Sequence, residues 1–250
     1  MKTSQLLKSI CCIMLLTNCE TKKDPLVIGH RGAMGYETEN TLASVKKAMD
    51  MGVDMIELDV FKIKSGEIVV FHDDTLERLS NAGGKIEEYN IFDLRQVVLE
   101  GNHSIPMLQD VLKLVDHKVK LNIELKGAGT ADRVNFIIQH YVQKYGWKLD
   151  DFLISSFNWD ELREFRKLNP DIAIGVLTEE DPLEAIEMAT DIGAFSINPY
   201  FLSLSRENVQ QIHDAGFEIH AWTVNEKEDI AKMKDFGVDG IITNFPDRIH

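Results

Sequence analysis

The sequence predicts an α/β protein folded as a closed (β/α)8 TIM barrel with one small insertion at its mouth, and three observations carry that prediction. Short apolar strand-like segments alternate with amphipathic helical ones from Leu26 onward, without a low-complexity break. Eight such strand cores occur, which suits a closed parallel barrel better than an open doubly wound sheet. No Gly-x-Gly-x-x-Gly opens the first helix, so the dinucleotide-binding form of an open sheet has no support.

The strand cores are Leu26–His30, Met55–Phe61, Lys120–Leu125, Phe152–Ser156, Ala173–Leu177, Ala194–Asn198, Glu218–Val224 and Gly240–Thr243. Helical periodicity follows most of them, at Thr41–Met51, Met107–Val115, Ala131–Tyr145, Trp159–Leu168, Pro182–Thr190, Ser205–Asp214 and Glu226–Asp235. Gly52, Gly216 and Gly237 stand where helices should stop, and Asn40, Asp181 and Asn225 stand where N-caps are expected. The eighth helix, after the last strand, is expected to be missing or only a turn long. One region breaks the rhythm. Ser65-Gly66 between two β-rich runs signals a hairpin, and Thr75–Ile105 shows little periodicity. Residues 62–105 are therefore expected to form an insertion after the second strand. In a barrel such an insertion lies over the C-terminal mouth, where active sites sit.

The amino terminus reads as a targeting segment. Lys2 and Lys8 are followed by a short apolar run, Ile10 to Leu16, and then by Thr17, Asn18 and Cys19. The run is too short to span a bilayer as a helix. Residues 1–19 are expected to be a lipoprotein-type signal ending at a lipidated Cys19, with an ordinary secretory signal as the alternative. Residues 20–25 read as a tether and 26–250 as the domain, which would be exported and anchored to a membrane. All three cysteines, Cys11, Cys12 and Cys19, lie in the leader. The domain itself thus has no disulfide, no cysteine-ligated zinc and no thiol nucleophile.

A length of 250 residues suffices for one barrel, and 44% hydrophobic with 27% charged residues is ordinary for a globular protein. The formal charge of −14 argues against a nucleic-acid partner. It would also repel an anionic substrate, unless a bound cation and a few local bases reverse the sign inside one pocket.

Residues i and i+2 of a strand share a face, and this rule singles out charged groups at several strand ends. The first strand ends in His30-Arg31-Gly32. Glu57 and Asp59 share a face, as do Glu124 and Lys126, and as do His220 and Trp222; the hairpin ends in His72-Asp73. Three carboxylates from neighbouring strands, Glu57, Asp59 and Glu124, repel one another unless a hard cation such as Ca²⁺ or Mg²⁺ joins them, or unless Arg31 and Lys126 pair with them. His30 and His72 are candidates for proton transfer, with zinc ligation or a structural role as alternatives. Arg31 and Lys126 suit phosphate oxygens, and Trp222 offers an apolar wall or simple packing.

At these residues a resemblance becomes specific. His30-Arg31-Gly32, Glu39-Asn40-Thr41, Glu57-Leu58-Asp59-Val60, His72-Asp73, Glu124-Leu125-Lys126 and Trp222-Thr223-Val224-Asn225 follow the order and spacing of the glycerophosphodiester phosphodiesterases. Ile105-Pro106 and Thr243-Asn244-Phe245-Pro246 are similar to that family too, so the resemblance runs from about Leu26 to Asp247. It implies a barrel that hydrolyses glycerophosphodiesters to sn-glycerol 3-phosphate and an alcohol. It also implies one divalent metal ion, Ca²⁺ or Mg²⁺, on Glu57, Asp59 and Glu124, with His30 and His72 as the acid–base pair. Arg31, Lys126 and Trp222 then contact the substrate. Thr38 departs from the family's usual proline, which alters a loop and removes no reactive group. A lysophospholipase D, a zinc amidohydrolase and a non-catalytic anchored ligand binder are the rival readings. The modest apolarity of Thr75–Ile105 favours small soluble substrates over lysophospholipids.

Overall fold

The computed structural model describes residues 24–249. The expected export signal and the expected lipidation at Cys19 fall outside the described residues. Eight parallel strands close into a barrel: β1 (Leu26–Gly29), β2 (Met55–Lys62), β4 (Lys120–Leu125), β5 (Phe152–Ser156), β6 (Ala173–Thr178), β7 (Ser196–Pro199), β8 (Glu218–Ala221) and β9 (Gly240–Thr243). Closure comes from β1, which pairs in parallel with β2 on one side and with β9 on the other. The strands read as nearly unbroken apolar runs because both faces are covered, one by the barrel interior and one by the helices.

The helical layer consists of α1 (Leu42–Asp50), α3 (Leu108–Val115), α4 (Ala131–Lys144), α5 (Trp159–Leu168), α6 (Ala185–Asp191), α7 (Arg206–Asp214) and α8 (Lys227–Phe236). A short α2 (Ile91–Leu94) belongs to the insertion. Among the described residues, the chain after β9 makes a single 3-10 turn, Pro246–Arg248. The apolar stripe of each helix packs on the sheet. In α3, for example, Leu108, Val111, Leu112 and Val115 are all buried at the i, i+3, i+4, i+7 spacing.

The insertion is ordered by a core of its own. Strand β3 (Ile68–Val70) turns back antiparallel on β2 through Ser65-Gly66, with Lys62 opposite Ile68 and Gly66 at φ 95°. Ten side chains, among them Phe61, Phe71, Leu76, Leu79, Ile86 and Leu99, form a buried apolar cluster separate from the main core. Each such burial contributes roughly 1.5–3 kcal/mol relative to exposure. The segment lacks helical or strand periodicity because its apolar residues point at a small irregular core. That core makes it a packed cover.

Two cap expectations are corrected. Thr41, not Asn40, caps α1 by accepting from Ser44 N, and Asn40 takes a left-handed conformation at φ 57°. Helix α8 is preceded by Glu226 with no side-chain cap, while Asn225 Oδ1 accepts from Asn244 N at 2.9 Å. Both asparagines serve the mouth of the barrel instead. His220, which shares a strand face with Trp222, is fully buried below the mouth and lies 3.3 Å from Glu218 Oε2. Gly240 opposite is needed there, because a Cβ at that position would stand 2.7 Å from the His220 ring.

Candidate active site

The predicted carboxylates converge. Glu57, Asp59 and Glu124 are buried, and each offers an oxygen within 4.8 Å of the others. Their placement follows from register: Asp59 pairs directly with Glu124 across β2 and β4, and Glu57 lies two residues back on the same face. Each of the first two has one oxygen pinned and one left over. Glu57 Oε2 accepts from the Arg31 backbone N at 2.8 Å, and Asp59 Oδ2 accepts from Asn40 Nδ2 at 2.8 Å. Glu57 Oε1 and Asp59 Oδ1 are buried with no hydrogen-bond donor. Glu124 Oε1 accepts from Lys126 Nζ at 2.9 Å.

Burial, with the Asp59 and Glu124 charges added, pushes the Glu57 carboxyl well above the ordinary carboxylate range. Burial and Asp59 push Glu124 up to about 7, against the pull of Lys126. Arg31 and Lys126 therefore offset the cluster only in part. The two orphaned carboxylate oxygens fit a hard cation that accepts oxygen ligands.

The histidines flank this cluster. His30 and His72 both line one cavity of about 90 Å³ at the C-terminal end of the strands, together with Arg31, Glu57, Glu124, Lys126 and Trp222. His30 follows β1, and its Nδ1 lies 2.7 Å from Asn244 Oδ1, whose backbone N is in turn held by Asn225. Its Nε2 is 3.9 Å from Glu57 Oε2. Burial pushes the His30 imidazole down to about 4, and the Arg31 guanidinium acts in the same direction. His72 arrives from the hairpin. Phe71 N donates to Asp59 O at 3.0 Å, extending the β2–β3 ladder and delivering His72 beside the carboxylates. His72 Nδ1 is 2.7 Å from Asp73 Oδ1, and its Nε2 is 3.3 Å from Lys126 Nζ. Burial lowers its pKa as well.

The His-Arg-Gly turn has a steric reason. Arg31 sits in the left-handed region at φ 50°, where its N–H reaches Glu57. Gly32 follows at φ 84°, and a Cβ there would lie 2.4 Å from Ser44 Oγ. A left-handed non-glycine residue at a functional site is a stored cost that the surrounding bonds must hold. Thr38 replaces rigidity with a bond, its Oγ1 donating to Glu100 O of the insertion at 3.0 Å.

The far wall of the cavity is aromatic. Trp222 Nε1 donates to Asn198 O at 2.7 Å, which fixes the indole. Phe157 meets it edge-on at 5.3 Å and Tyr200 lies 5.4 Å away. All eight residues singled out by sequence meet at this mouth. Sequence reasoning gave no role to Arg78 or Phe157, read Asn40 as a helix cap, and met Asp73 and Asn244 only as members of motifs. Asn40 carried a further signal: two consecutive capping residues precede α1, and one helix start can use one of them.

A larger cavity of about 480 Å³ opens at the opposite end of the barrel, lined in part by Lys120, Arg166 and Phe195. Its guanidinium is engaged by the chain, since Arg166 donates to the carbonyls of Ile192, Asn169, Pro170, Ile172 and Gly193. That arginine is a clamp on loops, with Nε, Nη1 and Nη2 each bonded to backbone carbonyls.

Fold and site define a (β/α)8 barrel with a buried three-carboxylate cluster between two imidazoles at its C-terminal mouth. Comparison with known proteins places the chain more narrowly. It matches the glycerophosphoryl diester phosphodiesterase family over residues 30–248 and belongs to that family. A glycerophosphodiester phosphodiesterase of Caldanaerobacter subterraneus subsp. tengcongensis is 34% identical over 233 residues, covering 90% of this chain and 96% of that protein. One from Bacillus altitudinis is 33% identical over 240 residues, covering 89% and 95%. Among solved structures, an Oleispira antarctica phosphodiesterase in complex with the product sn-glycerol-3-phosphate superposes with a TM-score of 0.83 at 28% identity, covering 90% of this chain and 95% of that one.

Proposed function

We propose that this chain hydrolyses glycerophosphodiesters to sn-glycerol 3-phosphate and an alcohol. In this reading Glu57, Asp59 and Glu124 hold one Ca²⁺ or Mg²⁺ ion, and His30 and His72 transfer the protons. Membership of the family supports the reaction, and so does the product carried by the Oleispira antarctica relative. The observation that carries the metal is the pair of buried carboxylate oxygens, Glu57 Oε1 and Asp59 Oδ1, that no protein donor satisfies.

When bound, the cation supplies Lewis acidity to a phosphoryl oxygen. Arg31 and Lys126, which already face the carboxylates, turn toward the remaining phosphoryl oxygens and offset the charge that builds there. Each histidine is gripped through Nδ1, His30 by an amide oxygen and His72 by a carboxylate, so each presents Nε2 to the cavity. A neutral imidazole on one side takes the proton of the attacking hydroxyl, and a protonated one on the other gives a proton to the departing alcohol. The aromatic wall of Trp222 and Phe157 holds the carbon skeleton and keeps bulk water from that side.

Release of sn-glycerol 3-phosphate from glycerophosphocholine, followed in a coupled assay, tests the reading. Turnover is expected to vanish after chelation by EDTA and to return with Ca²⁺ or Mg²⁺. Full turnover after thorough chelation removes the metal, and no turnover on any glycerophosphodiester with added cation removes the reaction. Phe157 is 44% exposed at the rim, and Leu202, in the loop after β7, is 59% exposed. These favour lysophosphatidylcholine as the comparison substrate, and faster hydrolysis of it would make lysophospholipase D the better description.

A further inference from the structure

Charges at the mouth form a closed circuit, and that circuit passes through the insertion. Arg31 Nε lies 3.4 Å from Asp59 Oδ2, and Arg31 Nη1 donates to Glu39 Oε1 at 2.6 Å. Arg78, in the insertion, donates to both oxygens of Glu39, Nη2 to Oε1 at 2.7 Å and Nη1 to Oε2 at 2.9 Å. The same guanidinium donates to both oxygens of Asp73, Nε to Oδ2 at 2.5 Å and Nη2 to Oδ1 at 3.0 Å. Asp73 takes the Nδ1–H of His72. His72 Nε2 faces Lys126, and Lys126 returns to Glu124 at 2.9 Å and to Asp59 Oδ1 at 3.9 Å. Anion and cation alternate from Asp59 through Arg31, Glu39 and Arg78 to Asp73, and His72 joins that chain to Lys126.

Three features mark Arg78 as the link that matters. Its planar fork serves two carboxylates, each through two N–H groups, a geometry no ammonium group can copy. One of those carboxylates, Glu39, is 5% exposed and lies between two guanidiniums, so its position is set by both. The other, Asp73, can only accept once it is ionised, and hydrogen bonds from Arg78 and His72 overcome partial burial to hold it at about 2. An acceptor at Nδ1 fixes the His72 tautomer with its hydrogen on Nδ1, which leaves the Nε2 lone pair toward Lys126 and the cavity. Arg78 itself touches neither the cavity nor the carboxylate triad among the described contacts.

We propose that Arg78 is a positioning residue that clamps Glu39 and Asp73 together, and so holds the Arg31 guanidinium and the His72 ring in the one arrangement in which both face the bound phosphate. The insertion then has a task in the reaction besides covering the mouth. The proposal rests on the reading of His72 as a proton-transfer group.

Arg78 is half exposed and lies outside the apolar cluster of the insertion, so Arg78→Met leaves the fold's packing in place. Arg78→Met is expected to lower kcat by about ten- to a hundredfold, the range found when groups that orient a ligating or reacting residue are removed. KM should stay within about threefold, and the melting-temperature rise caused by Ca²⁺ or Mg²⁺ should be unchanged. Arg78→Lys should recover little of the loss, because charge without the fork cannot serve both acids. The double variant Arg78→Met with Asp73→Asn should be slower than Asp73→Asn alone by clearly less than the loss in Arg78→Met itself, because the two variants share the Asp73 arm of the clamp. Long-range proton–nitrogen spectra of the His72 ring should show the Nδ1–H tautomer in the unaltered protein and a mixture in Arg78→Met. Unchanged kcat with an unchanged tautomer overturns the proposal, as do losses that multiply independently in the double variant. His72→Ala separates the two levels: if that variant keeps full activity the proton-transfer reading fails, and if it is inactive while Arg78→Met is as fast as the unaltered protein, only the clamp fails.

Discussion

The two halves of the barrel mouth are built from different materials. The arc from β1 to β4 supplies every charged group that lines the cavity: His30 and Arg31, Glu57, His72 from the hairpin, and Glu124 with Lys126. The arc from β5 to β8 supplies Ser155, Phe157, Leu177, Trp222 and Thr223, none of them charged. The charged half is the one that the insertion covers, and its groups are held by bonds to one another and to the cover. The aromatic half is held by edge-on ring contacts and one indole hydrogen bond to a strand carbonyl. This division separates tasks. Proton transfer and charge compensation need fixed donors at fixed distances, whereas holding a carbon skeleton needs only shape and dryness.

The largest effect that sharpens the division is in the charged half. His30→Ala and His72→Ala are each expected to lower kcat by at least roughly a hundredfold, the usual contribution of a positioned proton-transfer group. Neither histidine is needed to hold the carboxylates, so the rise in melting temperature on adding Ca²⁺ or Mg²⁺ should persist in both. A variant that keeps full kcat would show that its histidine is a structural neighbour of Glu57 or Lys126 and no more.

The same division explains what the sequence could reveal. Strand ends are regular, so alternation and register alone put Glu57, Asp59 and Glu124 on one face, and the structure brings them within 4.8 Å. Helix and strand boundaries followed from periodicity, with Lys120–Leu125, Phe152–Ser156 and Trp159–Leu168 falling where the pattern put them. What stayed hidden depends on contacts between distant segments. Arg78 lies six residues past His72 in a stretch without periodicity, and nothing local says that it will meet Glu39. Asn244 orients His30 across 214 positions of chain. Asn40 and Asn225 were misread for a different reason. Both have a side chain suited to helix caps, and the neighbouring tertiary bonds to Asp59 and to Asn244 outweigh that local use.

A smaller effect is expected in the aromatic half. Trp222→Ala removes a wall that touches substrate and transition state alike, so KM should rise about tenfold while kcat stays within about threefold. Steady-state kinetics on glycerophosphocholine decides this. A fall in kcat as large as that of the histidine variants would mean that the indole also orients the reacting groups, and the separation of tasks would not hold.

The subtlest expected effect concerns pH, and it belongs to the charged half alone. Without metal, Glu124 is held up at about 7 and Glu57 well above its ordinary range, so the folded protein binds more protons than the unfolded chain from about pH 4.5 upward. For these two groups stability therefore falls as pH rises through that window. His30, held down at about 4, acts oppositely below its ordinary value of 6.5, so the discriminating interval lies above pH 6.5. A hard cation requires both carboxylates ionised, so its binding releases protons and its stabilisation grows over the same interval. The melting-temperature gap between metal-loaded and EDTA-treated protein should widen from about pH 6.5 upward as Glu124, held at about 7, gives up its proton. Trp222→Ala should leave that widening intact, because no titrating group is lost. Glu124→Gln should reduce it, because one proton no longer has to leave. A gap that is constant across the interval would mean that the carboxylates are already ionised in the metal-free protein, with Arg31 and Lys126 sufficient to hold them so.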